Sequence, residues 1–425
     1  MINRIIDLLK KENVKEYRVI ERKINSIELF YVLDKLETNR CVDTVEYTLT
    51  VYKDFGDKKG DATVSISPLF SDNDIIEKIN DAIERTALSQ NKKYTLPIGN
   101  NIKYTSNSNI LKEDKKEIAL NVANAIYKAN TYKDGWINSV EIFVKENKTH
   151  LINSNGADNF IDSASLFIEI IPTWKGEKEE VEVYYSLKTA KIDYDKITKD
   201  VVELLNNAHA RSIAKKVPEN IKNVNVIFGP EMILEITTYL KNNLSYESQY
   251  LNSSVLTLNE DLSKNNNFKI NLTLKPVIEE LAESSPIDID GIELNEEKII
   301  DNGICKKIHG SNRYGQYMNI EKPTGIINLM ELEKGEESFD DFKKEPYIYC
   351  VTFSSPQLDD YSGYYGGEVR LGYYFDGQKT YPVTGFSISG NLKQDFPKIR
   401  LSSEIDTFNQ YKGPKYLLVP NMTIN

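Results

Sequence analysis

Histidine is scarce in this chain: His150, His209 and His309 are the only three among 425 residues. Chemistry that rests on imidazole, as general base or metal ligand, has little to draw on. None of the three is followed by glutamate, so a helical H-E zinc motif is absent. Cysteine is equally rare. Cys41, Cys305 and Cys350 are widely spaced and odd in number, which argues against a disulfide framework and suits a reducing cytoplasm. No apolar run approaches the ~18 residues that a membrane-spanning helix needs. Met1 to Leu9 holds an apolar cluster, but Asp7 interrupts it and Lys10-Lys11-Glu12 follows. An amphipathic first helix is expected there, not a signal peptide. Positive charge is also in deficit: Lys plus Arg number 53 against 64 Asp plus Glu, a net charge of −11. That argues against a nucleic-acid partner held by counterion release. The chain has no Walker A loop and no G-x-G-x-x-G between a strand and a helix, so the usual phosphate cradles are missing too.

What is present reads as alternating strands and helices. Residues 14–67 carry β-branched or alternating runs at Tyr17–Ile20, Ile27–Leu33, Val45–Tyr52 and Ala62–Ile66. A turn is expected at Gly56-Asp57-Lys58-Lys59-Gly60. Ser71 or Asp72 then caps a helix with Ile75, Ile79, Ile83 and Ala87 on one face. A second helix fits Glu113–Ala129. Strands return at Ile137–Val144, His150–Asn153, Ser163–Ile171 and Val181–Leu187, with a turn at Asn147-Lys148. Ile197, Val201, Leu204, Leu205 and Ala208 stripe another helix. Strands then helix, twice over, hint at an internal repeat, though the halves share no clear identity. Lys215-Lys216-Val217-Pro218-Glu219-Asn220 reads as a linker. After it come a short buried strand, Val224–Phe228, and a helix opened by Gly229-Pro230 with Ile233, Ile236, Leu240 and Leu244 on its face. The remainder is rich in strands and turns. About two or three domains suit this length, and the break near residue 218 divides the chain into residues 1–218 and 219–425.

The most distinctive stretch is Tyr361 to Asn391. Gly363, Gly366 and Gly367 punctuate a loop, Arg370–Phe375 reads as an aromatic-rich strand, Asp376-Gly377 as a two-residue hairpin turn, and Thr380–Ser387 as the return strand. Ser389-Gly390-Asn391 ends it. This run resembles the TldD/PmbA family, long named modulators of DNA gyrase and described as metallopeptidase subunits. The family's "tGdFS" loop falls on Tyr361-Ser362-Gly363, and its "yPVxGxxIsGN" on Tyr381 to Asn391. Its closing segment falls on Pro414 to Ile424. Pro286 to Gly291, Ile300 to Gly303 and Thr324 to Leu329 resemble further family pieces, and Leu151 to Gly156 carries a fainter likeness in the N-terminal half. The resemblance implies an α+β fold: an N-terminal α/β layer domain of strands and helices, and a C-terminal β-rich, barrel-like domain.

Catalytic members of that family carry H-E-x-x-x-H on the helix after the Val224–Phe228 strand. The two His of that motif hold one metal there, the Glu acts as general base, and a C-terminal Cys completes the site. Here the helix reads Leu234-Glu235-Ile236-Thr237-Thr238-Tyr239-Leu240-Lys241, and no Cys follows Asn391. This is the pattern of the PmbA/TldE branch, the partner subunit without the zinc motif. The resemblance therefore implies no catalytic residue, no metal ligand and no cofactor in this chain, with zinc expected only in a TldD-like partner. It implies a cytoplasmic, non-catalytic subunit of a TldD/TldE-type metallopeptidase in proteolysis or peptide maturation, inactive alone. Its partners would be a TldD-like subunit carrying HExxxH, or a second copy, together with a peptide, and neither nucleic acid nor membrane. The rival readings are a stand-alone homodimeric peptide-binding protein of vestigial peptidase ancestry and an enzyme with a relocated site.

Residues for a peptide or an interface are Tyr361, Ser362, Gly363, Tyr364, Tyr365, Gly390 and Asn391. Tyrosine offers flat contact area at low entropic cost, and glycine admits close backbone approach. Packing of these tyrosines at a barrel mouth is the plain alternative. Cys305 and His309 would face one another on a helix. On the strand expected there they lie roughly 13 Å apart, which favours a packed Cys and a surface His. His150 and His209 read as solvated or half-buried. Pro286 to Gly291 with Glu297 mimics a calcium loop in part, but Pro286 stands where a ligand is needed.

Overall fold

The structure, a computed structural model, describes residues 1–219, 221–264, 269–354 and 356–425. Asn220, the end of the expected linker, lies outside the described residues. The N-terminal half is built on a nine-stranded sheet. Its main path runs Gln90–Lys92, Lys58–Ile66, Lys35–Phe55, Glu16–Val32, Gly135–Asn153, Asp158–Lys175 and Lys103–Thr105. The four long central strands pair antiparallel over most of their length.

Side-chain alternation gives the sheet two different faces. Tyr17, Val19 and Leu29 point to one face, where helices Ile2–Lys11 and Asp72–Arg85 cover one end and Lys115–Lys128 and Tyr194–Ile213 the other. Arg18, Ile20, Arg22, Glu28 and Phe30 point to the opposite, helix-free face. Ser71 starts the second helix as expected: its Oγ accepts from Asp74 N while the Asp74 carboxylate takes Ser71 N, a reciprocal cap.

Two strand readings are corrected. Tyr17–Ile20 and Ile27–Leu33 are one strand, Glu16–Val32. The turn at Asn147-Lys148 does not form, because both residues lie within Gly135–Asn153. Asn147 is paired with Ile24 on one side and Ser163 on the other. Two-sided backbone pairing outweighs a local turn preference where both faces tolerate polar side chains.

The C-terminal half holds a closed five-stranded barrel. Its strands follow the order Tyr364–Phe375, Tyr347–Phe353, Asn223–Phe228, Leu417–Ile424 and Phe386–Asn391, and the last pairs back with the first. A six-stranded sheet contains Leu272–Lys275, Glu297–Asp301 and Leu329–Leu332. Helix Pro230–Asn243 shares one apolar core with both. The chain is thus an α+β protein with a β-rich C-terminal part. Among the described residues no helix is long and apolar enough to cross a membrane.

The barrel hairpin differs in detail from its sequence reading. Phe375 pairs with Thr380, so the connection is four residues, 376–379. Asp376 Oδ1 accepts from both Gln378 N and Lys379 N at 2.8 Å, which favours the longer loop over a two-residue turn. The return is split at Gly385, φ +70°, into Thr380–Thr384 and Phe386–Asn391. Asn302-Gly303, by contrast, is a two-residue turn with both φ positive, between Asp301 and Ile304.

At 215–222, Lys215 and Lys216 are exposed and pair with Val383 and Thr384, while Val217 and Ile221 pack against the C-terminal core. The halves also touch directly. Arg18 pairs with Asp290. Thr95 O accepts from Asn312 Nδ2 at 2.7 Å and from Gln316 Nε2 at 2.9 Å, and Tyr317 Oη donates to Lys92 O at 2.6 Å.

Candidate functional site

Helix Pro230–Asn243 begins at Gly229 with Pro230 in its first turn, where proline's missing N–H removes no helical bond. Met232, Ile233, Ile236, Tyr239 and Leu240 are buried in the apolar core. Glu231 and Glu235 sit one turn apart. Burial raises the pKa of both carboxyls. The neighbouring Glu235 adds to the effect at Glu231, and Asp360 adds to it at Glu235.

Asp360 belongs to the loop that the sequence singles out. Asn242 Nδ2 donates to its Oδ2 and Asn243 Nδ2 to its backbone oxygen, each at 3.1 Å. These bonds dock the loop on the C-terminal end of the helix. Within the loop, Asp359 Oδ1 accepts from Tyr361 N at 2.8 Å, Ser362 Oγ donates to Asp359 Oδ2 at 2.9 Å, and Gly363 N donates to Asp359 O at 2.9 Å. From the other side, Asn391 Nδ2 donates to Ser362 O at 3.0 Å and Leu392 N to Gly363 O at 2.9 Å. Tyr364 pairs with Asn391, and Tyr365 with Gly390.

Tyr361, Ser362, Gly363, Tyr364, Tyr365, Gly390 and Asn391 therefore meet in one place, but they do not share one role. Tyr361 and Tyr364 are 68% and 62% exposed, whereas Tyr365 is 3% exposed. Tyr365 Oη donates to Asp395 Oδ2 at 3.0 Å, and that oxygen also accepts from Asn391 N at 3.0 Å. The expectation that Tyr365 meets a peptide or partner is corrected: strand alternation turns its ring into the core. Tyr361 and Tyr364 are the two rings available at the surface.

Beneath the loop lies Tyr239, fully buried. A Cβ on Gly363 would come within 3.2 Å of Tyr239 Oη, and Gly363 has φ +71°, so glycine is required on both counts. Tyr239 Oη has no hydrogen-bond partner among the described residues. Burial, reinforced by Glu260 and Asp360, pushes its pKa up to about 12, so it is a neutral phenol. Sequence reading missed Tyr239 and Asp360. Tyr239 neighbours Leu240 in the apolar stripe, and Asp360 directly precedes Tyr361.

The residues present do not fit a zinc site. His150 stacks on Phe160 and bonds Asp158 Oδ1 through Nε2 at 2.6 Å. His209 is exposed and packs against Trp174. His309 is not the surface residue expected from its polar neighbours; it is 3% exposed. Its Nε2 lies 2.9 Å from Lys241 O. A carbonyl only accepts, so Nε2 carries the proton. Nδ1 is buried without a partner among the described residues. Burial, with Lys241 nearby, lowers the His309 pKa to about 4. Cys305 is fully buried and its thiol is pushed up to about 12 by burial, which disfavours the thiolate that zinc requires. Among the described residues no group of three or more His, Cys, Asp or Glu is placed to hold a metal ion. Asp288 is engaged by its own loop and by the segment after Gly325: Oδ1 accepts from Asp290 N and Ile292 N at 2.9 Å, and Oδ2 from Ile326 N at 3.1 Å.

Residues 221–425 match the PmbA/TldA metallopeptidase C-terminal domain. A Thermotoga maritima protein described as a modulator of a DNA gyrase is similar in structure, with 18% identity and TM-score 0.81 over 100% of this chain and 99% of that one. TldE from Thermococcus kodakarensis is similar at 17% identity and TM-score 0.82, over 99% of both chains. A Bacteroides thetaiotaomicron protein, also described as a modulator of DNA gyrase, is similar at 15% identity and TM-score 0.83, over 99% of this chain and 97% of that one. No curated protein matches the sequence.

Proposed function

Because the chain belongs to the PmbA/TldD family, a metallopeptidase-related family, we propose that it is a PmbA/TldE-like, non-catalytic subunit of a cytoplasmic metallopeptidase acting in proteolysis or peptide maturation. One observation carries the reading. Helix Pro230–Asn243, where catalytic members place H-E-x-x-x-H, presents no histidine, and the polar side chains Thr237, Asn242 and Asn243 are engaged in holding structure. Asn243 Nδ2 donates to Tyr239 O and Asp360 O, and Asn243 Oδ1 accepts from Val255 N at 2.8 Å. Thr237 Oγ1 donates back to Ile233 O. A zinc hydrolase needs about three protein ligands and one open position, and these side chains supply none. Tyr361 and Tyr364 then offer an exposed aromatic pair for the partner subunit or the peptide.

The test is reconstitution. The untagged chain alone is expected to carry less than stoichiometric zinc and to cleave no peptide. Cleavage is expected when a subunit bearing HExxxH is added. About one zinc per chain with chelator-sensitive cleavage by this chain alone would overturn the reading. Co-purification from the native cell separates it from the stand-alone homodimer: a heteromeric band at equal stoichiometry supports the subunit, and a homodimer alone supports the rival.

A further inference from the structure

A cavity of about 260 Å³ lies where the two halves meet. Residues 183–187 and helix Tyr194–Ile213 wall it from the N-terminal half. The start of helix Pro230–Asn243, strand Tyr347–Phe353 and residues 406–408 wall it from the other. It is smaller than the ~300 Å³ at which small-molecule sites begin, and it has room for one long side chain.

Its lining is acidic. Asp200, Glu203, Glu231 and Asp406 stand against two lysines, Lys196 and Lys415. Lys196 serves two of the carboxylates, at 3.1 Å from Asp200 and 3.7 Å from Asp406. Lys415 Nζ lies 5.5 Å from the centre of the Tyr416 ring and forms no ion pair among the described residues. The carboxylates of Glu203 and Glu231 have neither an ion pair nor a hydrogen bond among the described residues. Burial raises the pKa of Asp200 even with Lys196 beside it. Four negative charges against two positive ones, in a partly desolvated recess, leave the cavity short of a cation. Among the described residues no group of three or more His, Cys, Asp or Glu is placed to hold a metal ion, so the cation that fits is organic.

Asn207 adds a different requirement. It is 7% exposed and lines the same cavity. Its Oδ1 accepts from the hydroxyl of Tyr373, a residue outside the lining, at 2.9 Å. The amide therefore turns Nδ2 the other way, toward the cavity, and among the described residues Nδ2 has no acceptor. A buried donor without a partner calls for an oxygen from the occupant. Asp200, Glu203 and Asn207 share one face of their helix, and Asn207 lies about 6 Å beyond Glu203 along its axis. A lysine's four-carbon stem sets its ammonium a comparable distance from its own backbone carbonyl. The rings of Tyr185, Tyr349, Phe353 and Phe408 also line the cavity, and aromatic walls suit both an aliphatic stem and a cation.

We propose that this cavity binds a peptide through a lysine side chain, with the ammonium among the four carboxylates, the stem against the rings, and the lysine's backbone carbonyl on Asn207 Nδ2. This rests on the peptide-handling role above and names the residue that the chain recognises in the peptide.

The test is calorimetric titration of the full chain with acetyl-Ala-Lys-Ala-amide, with the same peptide carrying norleucine in place of lysine, and with 1,5-diaminopentane. The lysine peptide is expected to bind about tenfold tighter than the norleucine peptide, and about tenfold tighter than the diamine, which lacks the carbonyl. Glu203→Gln with Glu231→Gln is expected to remove the lysine preference. Glu77→Gln with Glu84→Gln removes the same charge from exposed positions of helix Asp72–Arg85 and should leave the preference intact. Asn207→Leu should weaken the lysine peptide and leave the diamine unchanged; should that variant fail to fold, the glutamate variants still decide. Equal binding of the lysine and norleucine peptides, or a preference that survives Glu203→Gln with Glu231→Gln, would overturn the proposal and leave the subunit role standing. So would a preference lost in the control pair, which marks bulk charge, or a diamine as tight as the peptide, which marks a free-amine site. A folded Asn207→Leu variant that binds the lysine peptide unchanged overturns it as well. Failure of every ligand to bind overturns it whatever the reconstitution shows.

Discussion

His309 provides a measurable link between burial and stability. Its ring is almost wholly buried, Nε2 donates to Lys241 O, and the Lys241 charge lies nearby. Nothing in that surrounding stabilises an imidazolium well enough to offset desolvation, so the folded pKa is lowered from 6.5 to about 4. A lowered folded pKa means that the unfolded chain binds the proton first. The contribution is therefore complete above pH 6.5 and is lost as pH falls toward 4. Linkage gives a loss of about 2 kcal/mol by pH 5 and about 3 kcal/mol by pH 4. Asp288 works in the opposite direction, since burial raises its pKa to about 6, so the wild-type profile alone is ambiguous. The useful quantity is the difference between wild type and His309→Gln, whose amide can still donate to Lys241 O. Urea unfolding of both proteins from pH 8 to pH 4 should show wild type losing about 3 kcal/mol more than the variant over the acidic span. A difference that stays flat across that range would refute the buried neutral imidazole.

Three further outcomes follow from the barrel and its surroundings. Gly390→Val should destabilise by roughly 1–3 kcal/mol, because a Cβ there would lie 2.7 Å from Asp395 Oδ2 and from the Tyr365 ring. Gly372→Val meets Ile348 at 3.1 Å and should follow it; unchanged melting temperatures in both would count against a tightly packed hairpin. Tyr365→Phe removes a buried donor from Asp395, which keeps Asn391 N, so thermal melts should report a loss of about 1–2 kcal/mol. Residues 1–218 and 219–425 are proposed as separate folding units, and limited trypsinolysis should then cut first within 215–222; first cuts inside either half would argue against that boundary.

The sequence marks where elements lie more reliably than which way their side chains face. The helix at Asp72–Arg85, the Asn302-Gly303 turn and the loop at Tyr361–Gly363 follow from local rules, because capping and positive φ are properties of a few adjacent residues. Tyr365 does not. Alternation would place Tyr364 and Tyr365 on opposite faces, but Gly366 and Gly367 follow and leave no side chains to set the phase. His309 stands among Lys306, Lys307 and Gly310, a polar setting that reads as surface. Its hydrogen-bond partner is Lys241 O on a helix 68 residues earlier, and no local pattern carries that information.

The same reasoning separates what the candidate helix lacks from what it does. The missing histidines of Leu234–Lys241 are visible in the sequence because a metal motif is local. The use of Asn243, Asn242 and Asp360 to fix the loop is invisible there, because its partners lie over a hundred residues apart. Those bonds bring the backbone of the helix end and the loop into one corner, with the exposed rings of Tyr361 and Tyr364 on its outside and neutral Tyr239 beneath. Burial raises the pKa of the Glu231 and Glu235 carboxyls on the helix, and the Tyr239 phenol beneath the loop is neutral. The polar side chains at the C-terminal end of the helix are thus engaged in fixing the loop that carries the two exposed rings.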